Sequence, residues 1–285
     1  MAKFTLNERY DDIDEIYSYT DTDDDRLQLL FDNHIAHYRT KTIKAGNVLE
    51  CEIYPIWNTS ASTSRARKFR ESRAAQKSLN AKNAQKNLIR LINENFTDSD
   101  IWATFTYETK KLPATVEAAQ KEMTKFIRRL KYYAARKEYP PLKYVYVTEF
   151  ENDEEKGKKR VHHHIVINFP DRDIVEQLWR GGARKQTRRL QADESGYEGL
   201  TRYITKDPKG AKRYVTSKNL RKPQITVADC KFTRKKVNDI VTGKKDPQIV
   251  FERIYKGYEI TSFTSKTSDF VTGTYIYVKM KKLRR

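Results

Sequence analysis

Cysteine is nearly missing from this chain. Cys51 and Cys230 are the only two among 285 residues and no CxxC pair exists, which leaves neither a disulfide framework nor a cysteine zinc site and fits a reducing compartment. Long apolar runs are missing too. No stretch approaches the ~18 apolar residues of a spanning helix, and the opening MAKFTLNERYDD has no signal-peptide apolar core, so the expectation is a cytoplasmic protein with no membrane partner. A GxxxxGK[ST] phosphate loop does not occur, and no ATPase activity is expected. No internal repeat is visible.

Acidic charge is scarce beyond the start of the chain. The formal net charge is +19; residues 1–32 hold ten acidic and three basic residues, net −7, which leaves +26 on the remaining 253. Such an excess on a folded body implies a polyanionic partner, nucleic acid first and an anionic membrane second. With 38% hydrophobic residues the chain can still build a core.

What is present alternates in type. Residues 1–32, with DTDDD at 21–25, read as an acidic arm. IAHYRTKTIKAGNVLECEIYPI (35–56) reads as a hairpin around Ala45-Gly46-Asn47. Residues 64–96, free of Pro and Gly, predict a basic helix or helix pair, with nine Lys/Arg against one Glu from Arg65 to Arg90. IWATFTY (101–107) reads as a strand. Pro113 and Thr115 open a helix whose Val116, Ala119, Met123, Phe126, Ile127, Leu130 and Tyr133 share one side. KYVYVTEF (143–150) and VHHHIVINF (161–169) read as strands joined by the charged turn ENDEEKGKKR. A short helix (172–180), a basic strand RKQTRRLQ (184–191) and a helix ending before Pro208 follow. This β-α-β-β-α-β-α order predicts an α+β fold, an antiparallel sheet with helices on one face in the ferredoxin-like class. QITVADCKF, QIVFERIY and GTYIYVKMK predict strands in a β-rich extension over 224–285.

Three of the five histidines, His162, His163 and His164, are consecutive. On a strand, His162 and His164 share a face and His163 points away. A hairpin centred near 155–156 pairs residues summing to about 311, which sets Glu149 opposite His162 at ~5 Å. Two imidazoles and a carboxylate would leave open positions on an octahedral ion, as a catalytic Mn²⁺ or Mg²⁺ site requires. Glu151, on the same strand face, is the reserve ligand. A packed or solvated strand face, or a structural zinc site, is the alternative.

Downstream, GLTRYITKDPKG (199–210) sets Tyr203 and Lys206 three residues apart on one helix face. A tyrosine hydroxyl beside a metal is a phosphodiester nucleophile whose covalent ester conserves bond energy, so that strands can be rejoined without ATP. YxxK recurs at Tyr38-Arg39-Thr40-Lys41, but order and spacing favour Tyr203. Tyr197, six residues before it, falls nearly opposite on the helix. The basic helix, Arg184, Lys185, Arg188, Arg189 and the tail KMKKLRR (279–285) are the expected phosphate contacts. Trp102, Tyr107 and Trp179 are either base-stacking platforms or core.

ATFTYET (103–109), HHHIVI (162–167) and YITK (203–206), in that order, resemble the three motifs of the HUH endonucleases, specifically the single-tyrosine rolling-circle replication initiators of bacterial plasmids, phages and integrative elements. VLECEIYPIW (48–57) and RYVTSKNLRKP (213–223) resemble the wider wording of Gram-positive and phage initiators. The resemblance implies Tyr203 as nucleophile, His162, His164 and Glu149 as metal ligands, and Lys206 assisting at the metal or phosphate. It implies a bacterial cytoplasmic replication enzyme, a nucleotidyltransferase and hydrolase acting on single-stranded origin DNA with a host helicase and polymerase. The endonuclease domain would span 97–223, between a hairpin and basic helical region (33–96) and the extension (224–285). The turn between Glu149 and His162 is longer than in compact family members. A relaxase, a single-tyrosine transposase and a non-catalytic basic DNA-binding regulator are the rival readings.

Overall fold

The computed structural model describes residues 35–57, 73–153, 158–182, 185–205, 214–267 and 272–283, with the backbone alone for 73–80 and 151–160. The acidic arm at 1–32, His34, residues 64–72 of the basic helix, the Glu151 side chain, Arg184, Lys206, Arg284 and Arg285 lie outside the described residues.

Two antiparallel five-stranded sheets and six helices form a mixed α+β architecture among the described residues. In chain order the first elements are β1 (Ile35–Ala45), β2 (Val48–Trp57), α1 (Arg73–Asn95), β3 (Ile101–Thr106) and α2 (Val116–Arg136). The strands β4 (Tyr144–Asp153) and β5 (Lys158–Ile167) then precede α3 (Arg172–Leu178), β6 (Lys185–Arg189), α4 (Glu198–Ile204) and β7 (Val215–Thr216). Last come β8 (Gln224–Asp229), α5 (Arg234–Val241), α6 (Pro247–Ile254), β9 (Tyr258–Thr267) and β10 (Thr274–Lys282). None of these helices is long and apolar enough to cross a membrane.

The chain divides into two compact units, Met1–Asn83 with Pro223–Arg285, and Ala84–Lys222. The first holds the sheet β8-β1-β2-β10-β9. Its β1–β2 hairpin turns at Gly46, whose φ of 58° suits the first position of a two-residue loop matched to strand twist. Leu49, Cys51, Ile53, Ile276, Val278 and Met280 face Phe232, Val237, Ile240 and Phe251 in one core. Residues 248–255, expected as a strand, instead form α6. Asp246 caps it by accepting from the Gln248 N–H at 2.8 Å, Pro247 occupies the first turn, and Phe251 and Ile254 reach the core; a capping Asp followed by Pro outweighs the β-branched content.

The second unit holds the sheet β6-β3-β5-β4-β7. Counted in chain order, its four longer strands lie 4-1-3-2, the split-βαβ arrangement of the ferredoxin-like class. Thr115 caps α2 by accepting from the Ala118 N–H at 3.2 Å. The apolar stripe then buries Ala119, Met123, Phe126, Ile127, Leu130 and Ala134 against Ile101, Ala103, Phe105, Ile165 and Ile167, with Val175 of α3 and Trp179 beside them. Each such large side chain contributes about 1.5–3 kcal/mol. The opposite sheet face is also covered in part: Val145, Val147 and Val166 pack with Leu88 and Ile92 of α1 and Tyr197 and Ile204 of α4. That second layer brings α4 over the strand histidines.

Candidate metal centre

The β4–β5 hairpin pairs residues that sum to 311, with Glu149 opposite His162 and Val147 opposite His164. Because directly paired residues share a face, His162, His164 and Glu149 converge, and one donor atom from each lies within 4.8 Å of the others. The Glu149 carboxylate is 2.5 Å from His162 Nε2 and 3.4 Å from His164 Nε2. Burial alone would raise the Glu149 carboxyl, but hydrogen bonds from the two imidazoles and their charges outweigh it and hold the group down at about 2.

The donor set suits a divalent ion. Thr104 Oγ1 lies 3.0 Å from His164 Nδ1, since β3 pairs Thr104 directly with His164. When Nδ1–H donates to that hydroxyl, Nε2 keeps its lone pair toward Glu149, the tautomer a metal ligand needs. His164 is almost fully buried, whereas His162 and Glu149 are about a quarter exposed, so the site is anchored on its inner side and open on its outer side. Thr104 is a residue that the motif reading missed; antiparallel pairing of β3 with β5 is the signal that finds it.

His163 does point away. It is wholly buried, with Nε2 2.7 Å from the Tyr107 hydroxyl and Nδ1 3.0 Å from the Thr148 hydroxyl. A neutral imidazole donates at one nitrogen and accepts at the other, so both contacts are satisfied without charge. Burial first, then the neighbouring histidines, push His163 down to about 3. The unfolded chain, with its histidine near ~6.5, therefore binds more protons than the folded one between those values. This contribution to stability is complete above about pH 6.5 and falls by about 1.4 kcal/mol per unit as pH drops toward 3. Denaturant midpoints measured from pH 7 to pH 4 should decline accordingly, and a His163→Phe variant should show a shallower decline.

Tyr203 sits near the end of α4, where Thr201 and Ile204 face inward. It is 59% exposed, and its ring lies edge-on to His164 at 5.6 Å and to Trp102 at 6.2 Å between centroids. The helix is fixed to α1 through Gln85, which donates to Thr205 Oγ1 at 2.8 Å and accepts from Arg202 at 3.2 Å. Tyr197, by contrast, is buried at the N-cap and donates its hydroxyl to Asp98 Oδ1 at 2.9 Å. Losing that hydrogen bond should cost about 1–2 kcal/mol. Tyr197→Phe is thus expected to lower the unfolding midpoint while leaving any chemistry at Tyr203 intact. Tyr38, the other YxxK tyrosine, lies in the first unit, 4% exposed, its hydroxyl accepting from the Thr274 N–H at 3.1 Å.

Among the expected DNA contacts, several are committed internally. The Arg189 guanidinium donates to the carbonyls of Ser99, Phe169 and Pro170, and Arg90 is buried. Trp179 and Tyr107 pack with the α2 core, while Trp102 alone of the three aromatics touches Tyr203.

No curated protein and no solved structure matches the chain. Residues 100–208, which run from the start of β3 past Tyr203 and include Glu149, His162 and His164, match the family model of the replication-associated protein of the ORF2 type.

Proposed function

We propose that the chain is a replication initiator that nicks and rejoins single-stranded DNA at an origin through a 5′-phosphotyrosine intermediate, starting rolling-circle replication. The observation that carries this reading is the convergence of Glu149, His162 and His164 on one sheet face with an exposed tyrosine against His164. The match of this segment to replication-associated proteins supports the setting, and the endonuclease is assigned to residues 97–223.

In this reading the Tyr203 hydroxyl oxygen attacks the scissile phosphorus. A phosphorus–oxygen bond forms, the bond to the 3′ oxygen breaks, the phenolic proton is released, and the departing 3′ oxygen takes up a proton. The 5′ phosphate stays on Tyr203 as an ester, and attack by a 3′ hydroxyl reverses the step without ATP. His162, His164 and Glu149 hold Mn²⁺ or Mg²⁺, which supplies polarisation of the scissile phosphate and stabilises developing charge. Thr104 fixes the His164 ring, and Glu149 balances the charge of the site. Lys206, one residue beyond Thr205, assists at the phosphate. Since Tyr197 is committed to Asp98, closing a round takes a second copy's Tyr203 or a water. Unwinding and synthesis fall to a host helicase and polymerase in the bacterial cytoplasm.

The test is a labelled single-stranded origin oligonucleotide incubated with protein and Mn²⁺, with and without chelator. A metal-dependent nick with protein attached to the 5′ end supports the reading. Tight DNA binding with no cleavage under any metal would assign the protein to the non-catalytic regulators instead.

A further inference from the structure

The edge strand β6 carries charge on both of its faces, and the register separates the two. Gln186 pairs with Thr104 and Arg188 with Trp102, and Thr104 in turn pairs with His164. Directly paired residues share a face, so Gln186 and Arg188 stand on the face of the metal centre, while Lys185, Thr187 and Arg189 stand on the other. Both Gln186 and Arg188 are exposed, and neither has a hydrogen-bond or ion-pair partner among the described residues. Their neighbours differ: Thr187 donates to Glu176, and Arg189 is tied to three backbone carbonyls. Those bonds pin the edge strand, and the two free side chains therefore project from a fixed support.

The rows His164–Thr104–Gln186 and Val166–Trp102–Arg188 run across the sheet from the metal centre to its rim. Two strand spacings separate β5 from β6, about 10 Å. Tyr203 rests on Trp102, beside the start of this path. An unpaired guanidinium suits a phosphate, and an unpaired side-chain amide can both donate to and accept from a base edge.

We propose that β6 guides the DNA strand out of the active site: Arg188 holds a backbone phosphate and Gln186 reads a base close to the scissile bond. This rests on the reading of the metal centre as a single-strand DNA nuclease and adds which edge of the sheet the strand crosses. Lys185 is the internal control, a cation on the same strand that faces the opposite side.

Fluorescence anisotropy with a labelled random-sequence single-stranded oligonucleotide separates the possibilities. Arg188→Ala should weaken binding about tenfold and reduce the log–log salt slope by about 0.7, the value for one lost phosphate contact on single strands. Lys185→Ala, with the same change in charge, should stay within about twofold, and Arg188→Lys should retain most of the slope. In selection of nicked sequences from a randomised pool, Gln186→Ala should relax preference at one position near the nick. Equal effects of Arg188→Ala and Lys185→Ala, together with unchanged sequence preference in Gln186→Ala, overturn the β6 path while wild-type nicking leaves the metal-centre reading standing. Wild-type protein that neither binds nor nicks the pool overturns both.

Discussion

Tyr203→Phe should abolish covalent attachment to DNA and leave single-strand binding within a few-fold. The substitution removes one oxygen and no charge, and the ring that packs edge-on to His164 and Trp102 remains. Since Tyr203 is 59% exposed, its loss of a hydroxyl strands no buried partner, and stability should change by less than about 0.5 kcal/mol. Cleavage should fall on the order of 10⁴-fold or more, as when a nucleophile is removed from an otherwise intact site. Denaturing gels of a labelled oligonucleotide read the adduct directly. If Tyr203→Phe still forms it and Tyr38→Phe does not, the nucleophile is misassigned; the buried hydroxyl of Tyr38, held by Thr274, argues against that outcome.

The second large effect concerns the metal ligands, and the two histidines should differ in how they fail. His162→Ala removes a partly exposed ligand and should eliminate Mn²⁺ binding and nicking with little change in stability. His164→Ala removes an almost fully buried ligand, opens a cavity and strands Thr104 Oγ1, so it should also destabilise by about 2–4 kcal/mol. Thr104→Val, which keeps the shape and deletes the hydroxyl, should weaken metal affinity about 10–100-fold without abolishing it. Calorimetric Mn²⁺ titration and denaturant unfolding on the three variants measure both quantities. Wild-type nicking that persists in excess chelator would contradict the metal assignment.

Much of this site was legible because strand periodicity is rigid. The alternation of VHHHIVI and the centre of one charged turn were enough to set Glu149 opposite His162, the pairing that the hairpin adopts. The α2 helix was equally readable from Thr115 and its apolar stripe. What was not legible depends on contacts between distant segments. Thr104 orients His164 only once β3 lies beside β5, and Gln85 reaches Thr205 only once α1 lies on the sheet.

Helices on both sheet faces likewise follow from Leu88 and Ile92 meeting Val145 and Val166, which no local pattern announces. In the C-terminal region β9 escaped notice because a bulge breaks its phase. Lys279 pairs with Ser262 and Met280 with Ile260, leaving Thr261 extra, so the core-facing Ile260 and Phe263 are three apart rather than two. Residues 248–255 misled for another reason: Ile249, Val250 and Phe251 look like a strand, yet Ile249 is exposed and Phe251 buried, each on its own side of α6.

The most direct test of the central claim is to map the covalent bond. Wild-type protein incubated with Mn²⁺ and a single-stranded origin oligonucleotide, then digested with protease and nuclease, should yield one modified peptide, carrying a 5′-nucleotide on Tyr203. A nucleotide on any other residue, or cleaved DNA with a free 5′ phosphate and no modified peptide, would contradict the account.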